Sequence, residues 1–148
     1  MNDYVDYASF VALIDDDEHS AHLLTRTLVD KGAHGVQNYG DAAKALVRLQ
    51  AVLNDKDASW PGMIVVDLKA HSGANLEFLD KIRQLTVRSN VPVVVLAPQP
   101  TEQCRLTLLE AGADAVFTRH ADRDAYRRVA ADMVEFWALS QRPVAVGM

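Results

Sequence analysis

Cysteine is almost missing from this chain. Cys104 is the only one in 148 residues, so no internal disulfide can form, which fits a reducing compartment. No apolar run approaches the roughly 20 residues that span a bilayer. The opening segment, MNDYVDYASF, is acidic where a signal peptide would be basic. A cytoplasmic protein with no membrane association is expected. Basic residues are outnumbered, with 15 Lys and Arg against 20 Asp and Glu for a net charge of −5. Direct nucleic-acid binding needs a basic footprint, so none is expected. The sequence also lacks a Walker-type phosphate loop and a G-x-G-x-x-G run, and it has no G-x-S-x-G elbow. His19 and His22 are three residues apart, but no Cys or acidic partner completes a transition-metal set with them or with His34, His71 or His120. All five read as surface histidines.

What remains is ordinary globular material, 49% hydrophobic and 24% charged. The length suits one domain with a core of its own. There is no internal repeat and no sign of a second domain. Residues 1–8 read as an extension, 9–140 as the domain and 141–148 as a tail without pattern.

Short apolar runs alternate with longer amphipathic ones. Phe10 to Ile14, Met63 to Val66, Val91 to Leu96 and Ala115 to Phe117 are continuous runs, and residues 34–38 form a weaker one. Continuous β-branched runs suit parallel strands covered on both faces. Between them lie helical patterns. Leu23, Leu24 and Leu28 mark a helix over 19–30 that stops at Gly32. Asp41, Thr101 and Asp122 can cap three others. Leu76, Leu79, Ile82 and Leu85 mark one more. In the last helix Tyr126, Val129, Met133 and Phe136 or Trp137 share a stripe, which reads as core with a possible partner face. Cys104 reads as a packing residue. Asn54 to Gly62 is a long loop. Five alternations of strand and helix call for an α/β fold, a doubly wound five-stranded parallel sheet with five helices.

In such sheets sites form beyond the carboxyl ends of the strands, where strand order reverses. Asp15 and Asp16 end the first run and Asp67 ends the third, so their carboxylates can share a pocket. Unpaired, they would repel and raise each other's pKa. A divalent cation relieves this, and magnesium suits a few carboxylates plus waters. One carboxylate could then attack a phosphoryl group. Asp17 falls beyond the pair and reads as a cap or surface acid.

These residues carry a resemblance. Ala12-Leu13-Ile14-Asp15-Asp16-Asp17 resembles the first-strand acidic motif of the response-regulator receiver domains, the CheY-like superfamily. Met63 to Asp67, with Leu76-Glu77-Phe78-Leu79, looks like the phosphoacceptor strand and its helix. Val91 to Leu96 resembles the fourth strand, and Leu109 to Ala115 the passage into the fifth. The likeness covers roughly residues 9–137. It implies a flavodoxin-like fold and a signalling domain of a two-component system or phosphorelay rather than an enzyme. Asp67 would accept a phosphoryl group from a sensor histidine kinase or phosphotransfer protein. Asp15, Asp16 and Asp67 would hold Mg2+ with the backbone carbonyl of Lys69. Output would run through a downstream protein partner or a homodimer.

The sequence departs from the family at its switch. The usual Thr or Ser after the fourth strand is Ala97, which has no hydroxyl. The aromatic of the fifth strand is Val116. The usual Lys is Arg119, a planar fork in place of a compact ammonium. The following Pro is His120, so a trans bond is expected there. His71 and Asn75 replace a proline and a glycine after the acceptor, and Pro98 and Pro100 should stiffen their loop. Two alternatives follow. One is a phosphorylation-independent pseudo-receiver acting as an interaction module. The other is an α/β phosphatase, weakened because Lys69 stands where a second acid would serve.

Overall fold

The computed structural model describes residues 9–141. Five strands, β1 (Val11–Asp15), β2 (Val36–Gly40), β3 (Met63–Asp67), β4 (Val93–Ala97) and β5 (Ala115–Thr118), alternate with five helices. The helices are α1 (Glu18–Asp30), α2 (Ala42–Leu53), α3 (Ala74–Ser89), α4 (Glu102–Glu110) and α5 (Arg123–Ser140). The strands form one sheet in the order β2-β1-β3-β4-β5, and every pairing is parallel.

The alternation of side chains along each strand divides the core in two. Val11, Leu13, Met63, Val65, Val94 and Leu96 pack with Leu24 and Leu28 of α1 and with Met133 and Trp137 of α5. Ala12, Ile14, Ile64, Val66, Val93 and Val95 pack with Leu49 of α2, Phe78 and Ile82 of α3 and Leu108 of α4. Both faces of the central strands are therefore dry, which explains their continuous apolar runs.

The expected caps form. Asp17 accepts from the amides of His19 and Ser20, Asp41 from Lys44, Thr101 from Cys104 and Asp122 from Ala125. Gly32 takes φ +114° just past α1, a conformation that favours glycine at a helix end. The second strand lies at 36–40 rather than 34–38, because Gly35 is spent accepting from the Val11 amide in the approach to the sheet. The fourth begins at Val93, after Pro92, which has no amide to give to a ladder. Cys104 corrects an expectation: it lies in the first turn of α4 and is exposed rather than buried in the core. The expected extension (1–8) and all of the tail but Gln141 lie outside the described residues. No helix among the described residues is long and apolar enough to cross a membrane.

Candidate functional site

Register brings the acids together. β1 and β3 are neighbours, and Asp15 pairs directly with Asp67. The order reversal falls there: from β1 the chain runs outward to β2 and then back to β3. Both carboxylates have fully buried side chains. Two acids so placed need positive charge nearby.

The molecule supplies that charge from its own side chains. The Lys69 ammonium lies 2.7 Å from Asp15 Oδ1, 3.1 Å from Asp67 Oδ2 and 2.9 Å from the Asp67 carbonyl oxygen. Just past β5, Arg119 places Nε 3.2 Å from Asp67 Oδ1. That contact is close enough for an ion pair, but its alignment is too poor for a hydrogen bond. Ser20 Oγ donates weakly to Asp67 Oδ2 at 3.4 Å. Burial pushes the Asp67 carboxyl above the ordinary range, with Lys69 as the strongest opposing influence. Asp15 adds to the rise and Arg119 reduces it.

Asp16 behaves differently from Asp15. Its Oδ1 and Oδ2 accept from the Lys69 amide at 3.0 and 3.1 Å, and Oδ2 also accepts from the Ala70 amide at 2.9 Å. It clamps the loop after β3. Among the described residues no cluster of three or more His, Cys, Asp or Glu is disposed to hold a metal. Lys69 was expected to bring only its backbone carbonyl to these acids, and its side chain shares the pocket as well. The donor chemistry still fits a hard divalent cation. Asp15 Oδ2 and Asp67 Oδ1 are buried carboxylate oxygens with no hydrogen-bond partner.

The remaining sequence candidates take their expected places. Ala97 is buried at the end of β4, and its carbonyl accepts from the Arg119 amide at 2.7 Å. Val116 is buried on β5. The Arg119–His120 peptide is trans, since the described residues contain no cis bond. Asp17 is the cap of α1, and all five histidines are exposed.

Sequence reasoning named Asn75 and Tyr126 but missed what they do at the site. Asn75 is buried, and its Oδ1 accepts from the Leu68 amide at 2.9 Å, which pins the loop behind Asp67. Tyr126 packs against the core, as its place in the α5 stripe implies, but also faces the site. It is only half-buried and lines, with Asp17, Ser20, Lys69 and Arg119, an open groove of about 1210 Å³ beside α1. Burial raises its phenol pKa, and the charges of Asp67 and Asp15 raise it further. Its position near the amino end of α5, past the carboxyl edge of the sheet, was the available signal.

The model of the response regulator receiver domain matches residues 11–130. This chain belongs to the response regulator receiver domain family. It is a receiver of the two-component type, with the five-stranded parallel sheet and five helices of that fold. Among curated proteins, it is 28% identical over 69 residues to the phosphate regulon transcriptional regulatory protein PhoB of Escherichia coli. That match takes in 47% of this receiver and 30% of PhoB, so the chain spans about a third of the curated relatives it matches. Among solved structures, the Mn2+-bound form of response regulator Rcp1 superposes with a TM-score of 0.73 at 20% identity, covering 93% of this chain and 99% of that one. The phosphorylated cyanobacterial phytochrome response regulator RcpA gives 0.70 at 22% identity, over 93% of this chain and 98% of that one. At these identities the structural likeness shows the fold alone.

Proposed function

We propose that this receiver accepts a phosphoryl group on Asp67. The observation that carries the reading is the placement of one fully buried carboxylate between two cations, Lys69 and Arg119, at the end of β3 beside an open groove. An Asp67 carboxylate oxygen attacks the phosphorus of a phosphohistidine. The new O–P bond forms as the P–N bond breaks, and the leaving imidazole takes up a proton. Catalysis here is mostly positioning and charge stabilisation. Arg119 Nε, already beside Oδ1, is placed to meet the phosphoryl oxygens. Burial of the Asp67 carboxylate strengthens both ion pairs. Mg2+, held by Asp15, Asp16 and Asp67 with the Lys69 carbonyl, would neutralise charge on the phosphoryl oxygens; the Mn2+ of the similar Rcp1 structure supports a divalent ion.

The donor would be a sensor histidine kinase or phosphotransfer protein, and the output a downstream protein partner or a second copy of the receiver, in the cytoplasm. The groove has room for a phosphorylated side chain. Incubation with Mg2+ and a small-molecule phosphodonor, followed by intact mass, tests the reading. One added phosphoryl group is expected, lost in Asp67→Ala. No adduct on the wild-type receiver would refute it and favour the phosphorylation-independent interaction module.

A further inference from the structure

Lys69 enters the pocket in a way its place in the chain does not require. It is the second residue of a loop, and a lysine there would ordinarily extend into water. Instead its ammonium sits among three oxygens of Asp15 and Asp67, all within 3.1 Å. An ammonium has three N–H groups, so this arrangement can engage all of them. The two carboxylates are therefore already bridged by a cation that cannot diffuse away.

We infer that Lys69 is a tethered counter-ion that closes the cation site, so that a divalent ion binds only by displacing it. This rests on the reading of Asp15 and Asp67 as cation ligands. Three observations carry it. The ammonium lies between the same two carboxylates that such an ion needs, and two like charges cannot share one gap a few ångströms wide. Asp16, the third acid, is held by the backbone amides of Lys69 and Ala70, so the residue bearing the plug is fixed over the pocket. Lys69 also keeps 21% of its side chain exposed, against none for Asp15 and Asp67. That leaves it a path to the groove, where its flexible stem can swing. The plug is thus removable, and in the ion-free pocket the two buried carboxylates face two cations, Lys69 and Arg119.

The consequence is a receiver whose affinity for divalent ions is set low by one residue. Titration of the full chain with Mn2+, following the free-ion signal by electron paramagnetic resonance, measures it. Lys69→Met keeps the stem and removes the charge. Each charge-assisted hydrogen bond that the ion must break corresponds to roughly tenfold or more in affinity. The variant should therefore bind Mn2+ at least about tenfold more tightly than wild type, with Mg2+ competing. Without metal it should melt at a lower temperature. Equal affinities would overturn the inference and leave the cation site standing. Binding to neither protein would overturn both. Should the variant fail to fold, nitrogen-15 resonances of the lysine ammonium groups in the wild type decide the matter. The Lys69 signal should shift to that of a solvated lysine at saturating Mg2+. A signal unchanged at saturation would show ammonium and ion bound together and refute displacement.

Discussion

Asn75→Ala should loosen the loop that carries the site. The Leu68 amide is buried directly after Asp67 and donates to Asn75 Oδ1 at 2.9 Å. No other acceptor for it is seen among the described residues. Alanine removes that acceptor and leaves a buried N–H without a partner, which costs about 1–3 kcal/mol. Both residues are nearly inaccessible, at 4% for Leu68 and 8% for Asn75, so water cannot easily substitute. Taking about 2 kcal/mol and a urea dependence of about 2 kcal/mol per molar, the unfolding midpoint should fall by about 1 M. The melting temperature should fall by roughly 4–8 °C. The loss should be local as well as global. Hydrogen exchange at Leu68 should accelerate more than at Val65, in the middle of the same strand. The loop is also held from the β1 side by Asp16, so it should remain formed but less well placed, and phosphoryl uptake on Asp67 should slow. Asn75→Asp separates the causes. It keeps an acceptor and should preserve Leu68 protection even where a buried carboxylate lowers stability. A midpoint shift below about 0.3 M with Leu68 still protected would refute the reasoning.

Gly62→Ala tests packing at the opposite end of β3. A Cβ there would overlap Ser9 Oγ and lie 2.6 Å from Trp137 Nε1. Overpacking of about 1–3 kcal/mol is expected in urea unfolding, with phosphoryl uptake on Asp67 unchanged. Asp67→Asn should stabilise the receiver at neutral pH. The folded state raises the Asp67 pKa, so it binds the proton more tightly than the unfolded chain does. Stability is then lost as pH rises from the ordinary carboxylate range to the folded value, and the full penalty persists above both. The variant's advantage in urea unfolding should be present at pH 7 and shrink toward acid. A variant no more stable than wild type at pH 7 would contradict the burial argument.

How far the fold could be read from the sequence depended on burial. β1, β3 and β4 are buried at every position, so their apolar runs are unbroken. β2 is an edge strand with Gln37 and Asn38 exposed, and its weak pattern misled the boundary. Helices with a capping side chain could be read at the start. α3 has Gly73 at that place and no side-chain cap. The pairing of Asp15 with Asp67 followed from strand ends alone. The direction of a long side chain did not. Lys69 was expected to contribute its carbonyl, and nothing in a periodicity says that its ammonium turns inward. Tyr126 shares a stripe with Met133 and Trp137. Tyr126 does pack against that core, and what the stripe did not show is that it also lines the groove.

The altered switch positions gain a physical meaning from α4. This helix has nine residues and buries only Leu108, so it is lightly held, as elements that move commonly are. Arg105 ties it down by donating to the Val116 carbonyl at 3.0 Å. That is the stretch of β5 where the resemblance calls for an aromatic side chain, and neither Val116 nor Ala97 can report on Asp67 through a ring or a hydroxyl. Arg119 can. Its guanidinium lies against Asp67 while its amide holds the Ala97 carbonyl. On the proposed reading, new negative charge on Asp67 would act first on a residue that directly follows β5 and is bonded to the end of β4. From there the nearest soft element is the loop of Pro98, Gln99 and Pro100, where Gln99 sits at φ +35°, a conformation that is costly for a residue with a Cβ. On the same reading, strain in that loop and light anchoring of α4 would give the charge something to move, without the hydroxyl and the ring that the resemblance calls for.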